Sequence, residues 1–133
     1  MVNKTKKILS EISSGELLDK ISILEIKLEK VQNQEGQKEI KKEYSILKEV
    51  QNSNIKITDE LKKLFDELKN VNSALWDIEN KIRICEKNRD YGDVFIKLAR
   101  GVYLSNDKRS KIKSKINTIL GSNIKEVKEY ANY

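Results

Sequence analysis

The sequence has no histidine and only one cysteine, Cys85. Without histidine the chain cannot build a serine-type catalytic triad or a metal site with imidazole ligands, and one cysteine allows neither an intrachain disulfide nor a zinc cluster. Long apolar runs are missing too: no stretch approaches the roughly 18 to 20 residues that cross a bilayer, and no signal-peptide pattern is present. We therefore expect a cytoplasmic protein that does not insert into a membrane and needs no metal or cofactor.

Proline is also absent, glycine occurs five times, and no segment alternates polar and apolar residues as a strand does. The 133 residues, 36% of them charged and 38% hydrophobic, suit one soluble helical domain over residues 1–133. The sequence thus predicts an all-α fold: an antiparallel helical bundle with a long helical hairpin and a smaller C-terminal helical part.

The net charge of +6 arises from 27 basic and 21 acidic residues. Both signs are mixed along nearly every segment, whereas nucleic-acid-binding proteins gather basic and aromatic residues on one face, so we do not expect nucleic acid as a partner. Abundant lysine is typical of an AT-rich genome. The four arginines all fall within residues 83–109, and lysine cannot replace their planar guanidinium, which can bind an anionic small molecule with two hydrogen bonds.

Two helices are predicted in the first part of the chain. Residues 13–16 form a capping box, in which the Ser13 hydroxyl and the Glu16 carboxylate each bond a backbone amide. A first helix then runs to a polar segment at residues 33–37, and a second, antiparallel to it, covers about residues 38–51. The first 12 residues have no clear structure. The apolar positions of the first helix follow a heptad spacing at Leu17, Ile21, Leu24, Leu28 and Val31.

The clearest pattern is one long helix from Asp59 to about Asn88, capped by Thr58. At 1.5 Å per residue it is roughly 45 Å long, which indicates an elongated molecule or a pair of chains. We expect a homodimer with coiled-coil packing. The apolar seam steps by three and four residues through Leu61, Leu64, Leu68, Val71, Leu75, Ile78, Ile82 and Cys85.

Residues 90–93 break this helix. A fourth helix is predicted over Asp93–Leu104, followed by a fifth that Ser105 or Asn106 caps and that ends at Gly121. We expect the tail, residues 122–133, to add at most one short turn before fraying.

A polar stripe lies one residue past each seam position of the long helix. Two interpretations remain open for it. In the first, Trp76 widens the core and Glu79 and Arg83 form ordinary ion pairs. In the second, the stripe lines a polar pocket or a partner-binding surface. The stripe comprises Asn72, Trp76, Glu79, Arg83 and Glu86.

A second cluster surrounds the predicted start of the fifth helix. Arg100 and Tyr103 share a helical face, and the free amides of a helix start suit an anion between them. The simpler alternative is a capped turn with surface charges. The cluster comprises Arg100, Tyr103, Asn106, Asp107 and Arg109.

The first helix carries Glu16, Asp19, Lys20 and Glu25 close together. Paired carboxylates can serve acid–base chemistry or hold magnesium. More often they only interact favourably with the helix dipole and with solvent, so we expect no metal site here.

Four blocks of the chain resemble a small bacterial all-helical family of unknown function. The family occurs in marine and other bacteria and in phage-like contexts, sometimes beside or fused to glycosyltransferases of surface-polysaccharide loci. The resemblance covers about residues 12–130 and departs from the family at residues 34–36, where a proline is expected. The resemblance implies no activity. It does imply that the polar residues of the stripe and of the second cluster are important. The blocks are residues 14–27, 67–79, 95–103 and 106–117.

Two functions follow from these patterns. The first is a non-enzymatic helical interaction or accessory module with a protein partner, linked by the resemblance to cell-surface polysaccharide assembly. The second is a small ligand-binding protein or enzyme for a phosphorylated sugar or nucleotide sugar, with Arg83, Arg100 and Arg109 on phosphate and Glu79 as acid–base group. The candidate ligand-binding residues are Asn72, Trp76, Glu79, Arg83, Arg100, Tyr103, Asn106 and Arg109.

Overall fold

A computed structural model describes residues 6–133, which contain four α-helices and no strand. The predicted all-α bundle is confirmed. None of the helices within this range is long and apolar enough to cross a membrane. The helices are α1 (Ser14–Lys30), α2 (Gln34–Asn54), α3 (Asp59–Lys87) and α4 (Asp93–Leu120).

Local sequence signals set most helix ends. The Ser13 and Thr58 hydroxyls accept hydrogen bonds from the backbone amides of Glu16 and Leu61, and Gly121 ends α4 with a left-handed φ of 58°. The Glu16 carboxylate does not complete the capping box, because it binds the Lys113 ammonium instead. Helix α2 begins earlier than predicted, since the Asn33 side chain caps it at Gly36.

The predicted break at Ser105 or Asn106 is wrong, because α4 continues through both residues to Leu120. Serine and asparagine cost well under about 1 kcal/mol in a helix interior, and packing along α3 outweighs that cost. The tail contains no helix but lies against α4, where Glu126 binds Lys113. Of the uncertain first segment, residues 6–12 have neither helix nor strand, and residues 1–5 lie outside the described range.

The helices form two antiparallel hairpins. In the first, Gln37 of α2 contacts Leu28 of α1, and Tyr44 contacts Glu25 farther from the turn. In the second, α3 and α4 pack along each other, and α1 contacts both of them. The main core fills the end of the second hairpin where α1 packs. It consists of Leu17, Leu18, Ile21, Leu61, Leu64, Leu68, Ile112 and Ile116.

Gly15 allows α1 to approach α4 closely. Its amide donates a 2.6 Å hydrogen bond to Asn117 Oδ1, and a Cβ placed on Gly15 would lie 2.6 Å from the Lys113 carbonyl oxygen. A backbone oxygen inside a helix cannot turn aside as a flexible side chain does. The α1–α4 contact therefore requires glycine at this position.

We predict that Gly15→Ala lowers the free energy of unfolding by about 1–3 kcal/mol, because the helices must separate. Gly101→Ala is the matched control, since its Cβ would meet only the Ile78 side chain, at 3.1 Å. The higher helix propensity of alanine offsets the cost of this contact, so stability should change little. Urea denaturation measures both variants. Equal stability of the two alanine variants would contradict a close α1–α4 contact.

Candidate functional site

One fully buried carboxylate, that of Asp19, lies where α1, α3 and α4 meet. Asn72 of α3 donates to Asp19 Oδ1 at 2.8 Å. From α4, the Arg109 guanidinium donates through Nε to Oδ1 at 3.0 Å and through Nη2 to Oδ2 at 2.5 Å. This bidentate pair joins two helices through charge-assisted hydrogen bonds.

The polar network continues on both sides of Asp19. Asn72 Nδ2 also donates to Ser22 Oγ at 2.8 Å, and Ser22 Oγ donates to the Asp19 carbonyl at 2.7 Å. The Lys113 ammonium lies 3.5 Å from Asp19 Oδ2 and donates to Glu16 at 2.6 Å and to Glu126 of the tail at 3.3 Å. Within residues 6–133, no buried side-chain nitrogen or oxygen lacks a hydrogen-bond partner.

The network keeps these groups charged. Burial alone raises the pKa of Asp19, but hydrogen bonds from Arg109 and Asn72 and the positive charges of Arg109 and Lys113 lower this pKa below its ordinary value. For Lys113, burial lowers the pKa, but the hydrogen bond to Glu16 and the charge of Asp19 raise it above the ordinary value overall. The hydrogen bond to Asp19 likewise raises the pKa of Arg109.

A groove of about 400 Å³ opens beside this network, between α1, α3 and α4. This volume lies within the range of small-molecule sites. Its apolar surface comes from Ile23 and Ile26 of α1 and from Leu75 and the half-buried Trp76 of α3. Its polar lining comprises Asn72, Glu79, Asn80, Arg83, Asn106 and Arg109.

Six of the eight candidate residues from the sequence line this groove, and Arg100 and Tyr103 do not. Because α4 is continuous, Arg100 and Arg109 are nine residues apart and point to opposite sides of one helix. One interpretation of the second cluster placed an anion beside Arg100 and Tyr103 at the free amides of a helix start, and no helix starts there. Arg100 is exposed, and Tyr103 lines a separate cleft beside the tail.

The sequence model of a family of unknown function matches residues 8–133. The chain belongs to this family, DUF6165. No curated protein and no solved structure shows significant similarity to the chain. The family resemblance expected from the sequence is thus confirmed at the level of a family without an assigned function, and the bacterial and genomic setting stays a prediction.

In this DUF6165 chain, the acidic residues of α1 pair with cations instead of facing one another. Glu16 binds Lys113, and Glu25 binds Lys69 and the Tyr44 hydroxyl, while Lys20 is exposed. Across residues 6–133, no three carboxylate or thiol side chains are grouped as metal ligands. The magnesium alternative has no support from this arrangement.

The central role of Asp19, with its partners Ser22 and Lys113, was missed by sequence reasoning. Asp19 and Ser22 lie next to the apolar seam of α1, where they interrupt a face that is otherwise buried. Polar residues at such positions are a usable signal, because a buried polar group needs a partner. Arg109, the partner, lies 90 positions away and cannot be located from the pattern of α1.

The lowered pKa of Asp19 predicts acid sensitivity in this DUF6165 chain. A carboxylate whose pKa is depressed by folding stabilises the fold above its ordinary pKa, and that contribution is lost as the pH falls through the folded value. The free energy of unfolding should therefore decrease as the pH falls below about 4. Asp19→Asn should cost about 3–5 kcal/mol at pH 7, because Arg109 loses its partner, and should show a shallower acid dependence.

Urea denaturation between pH 7 and pH 2.5 measures both effects. Glu29→Gln is the control, because the Glu29 pair with Lys69 is exposed and worth about 0–1 kcal/mol. An Asp19→Asn protein as stable as the wild type at pH 7 would contradict this account.

Proposed function

We propose that the chain is an accessory binding module that holds a sugar in the groove beside Trp76. The observation that carries the proposal is the position of Trp76, half-buried in a groove whose other polar groups are amides, two arginines and a carboxylate. A sugar ring presents an apolar C–H face and a rim of hydroxyls. The groove offers an apolar indole face and a rim of planar hydrogen-bonding groups.

The hydrogen-bonding capacity of the groove supports this assignment. Arg109 has five N–H groups, of which Asp19 accepts two and Asn106 Oδ1 accepts a third, at 3.4 Å. Asn72 uses its Nδ2 internally, and its Oδ1 accepts from no described residue. Fixed donors and acceptors therefore line one wall of the groove, and the buried network holds them in place.

The charges of the groove favour a neutral sugar over a phosphorylated one. Arg109 is neutralised by Asp19, and Arg83 forms an exposed ion pair with Glu79 on the next turn. The third arginine of the phosphate hypothesis, Arg100, lies on the other side of α4. Glu79 is nearly half exposed, which is unlike the apolar surroundings of a catalytic acid, and we propose binding without chemistry.

Such a module suits an accessory role in cell-surface polysaccharide assembly, which we expect because the resembled family sometimes occurs beside glycosyltransferases. The sugar units of a polysaccharide present the apolar faces and hydroxyls that the groove is proposed to hold. Both the polysaccharide link and the cytoplasmic location stay predictions.

Titration of Trp76 fluorescence with glucose, galactose, mannose, N-acetylglucosamine and glucose 1-phosphate tests the ligand. We expect a saturable change with at least one neutral sugar. Arg83→Ala should weaken that binding about tenfold or more, the effect of losing one hydrogen bond to a charged group. Arg100→Ala is the matched control and should leave it unchanged.

A response to glucose 1-phosphate alone would replace the proposal with the phosphorylated-sugar alternative. No response to any of the five compounds would count against ligand binding at Trp76.

We also propose that two copies associate through the far end of the α3–α4 hairpin. Among residues 6–133, α3 and α4 are the helices that form this end, and two helices cannot enclose an apolar core. Ile84 and Val94 are 57% and 61% exposed, and Ile96 is 52% exposed. A second copy offers the same surface in reverse, as a two-fold interface requires.

Sedimentation should give twice the chain mass of 15.5 kDa. Val94→Asp should give a monomer, because it places a charge in the interface. Ile46→Asp on α2 is the control, since Ile46 is similarly exposed but lies far along the chain from this end. A wild-type monomer at high micromolar concentration would contradict the interface.

A further inference from the structure

A second cleft lies beside the groove, between α4 and the tail. It has a volume of about 550 Å³. Three tyrosines line it: Tyr103 from α4 and Tyr130 and Tyr133 from the tail. Asn106 lines this cleft and also the groove.

We propose that the groove and this cleft form one extended site for an oligosaccharide, an inference that rests on the proposed sugar-binding function. One sugar unit lies on Trp76, and the chain continues over Asn106 to a second unit on Tyr103. The shared position of Asn106 carries this inference.

Helix geometry places Asn106 between the two halves of the site. Successive residues of a helix are about 100° apart. Arg109 and Tyr103 therefore lie about 60° to either side of Asn106 around α4, and about 9 Å apart along it. The side chain between them is short, so a ligand can cross α4 at this point.

Asn106 also has hydrogen-bonding capacity for a ligand. Its Oδ1 accepts only the long bond from Arg109, and its Nδ2 donates to no described residue. The side chain is partly exposed, between the two aromatic surfaces. An amide in this position can bond hydroxyls of two adjacent sugar units.

The tail builds the tyrosine surface. Glu126 binds Lys113, the Tyr133 hydroxyl donates to Asp107, and the Tyr133 ring meets Tyr103 edge to face, with ring centroids 5.6 Å apart. Tyr103 and Tyr133 remain 45% and 81% exposed. Exposed rings held by such contacts suit a ligand with repeated apolar faces, and a chain of sugars has one on each unit.

A printed array of mono- to hexasaccharides of glucose, galactose, mannose and N-acetylglucosamine tests the inference, followed by calorimetry on the ligands that bind. We expect oligosaccharides to bind at least about tenfold more tightly than the matching monosaccharide. Tyr103→Ala should remove about five- to tenfold of the oligosaccharide affinity and leave the monosaccharide affinity unchanged. Tyr103→Phe should retain both affinities, because the ring face is kept.

Tyr91→Ala is the matched control, since Tyr91 is exposed but lies in the α3–α4 turn. Equal affinity for mono- and oligosaccharides, unaffected by Tyr103→Ala, would overturn the extended site and leave the proposed function standing. An array without any signal would overturn both.

Discussion

The ion pair between the fully buried Asp19 carboxylate and the partly exposed Arg109 guanidinium is the interaction on which the rest of this structure depends. An ionised carboxylate without exposure to water is tolerated only when its hydrogen bonds are satisfied. Asn72 and Arg109 supply those bonds from two different helices. Because the Asp19 carboxylate needs hydrogen bonds from both α3 and α4, it fixes the positions of these helices relative to α1.

The same requirement links the core to the groove. Arg109 and Asn72 each use part of their hydrogen-bonding capacity on Asp19, and both line the groove. Their positions are set before any ligand arrives, and a site prepared in this way loses less entropy on binding. Glu79 and Arg83 of α3 lie farther from Asp19. Both are exposed, and within the described residues their side chains form an ion pair with each other. The groove thus has one rigid wall and one adaptable rim.

The sequence predicted those features that depend on local patterns. Heptad spacing located α1 and α3, Ser13 and Thr58 marked helix starts, and the period of α3 placed Trp76 beside Asn72 on one stripe. The continuity of α4 could not be predicted in this way, because Ser105 and Asn106 are good caps and their cost inside a helix is small. That one difference moved Arg100 out of the candidate site.

The spacing of apolar residues could not predict contacts between segments that are distant in the chain. Asp19 was identified only as one of several acidic residues, because no local pattern around it indicates that Arg109 is its partner. Ile23 and Ile26 lie outside the predicted heptad seam of α1, and no pattern predicted that both line the groove. The tail, expected to fray, contributes Glu126 to the network and two tyrosines to the second cleft.

A double-mutant cycle on Asp19 and Arg109 tests this account most directly. The free energy of unfolding is measured for the wild type, Asp19→Asn, Arg109→Gln and the double variant. Residues that share one buried network couple by about 0.5–3 kcal/mol, and we expect a coupling energy of about 2–3 kcal/mol, at the upper end of that range. Additive effects, within about 0.5 kcal/mol, would show that the pair does not hold α1 and α4 together.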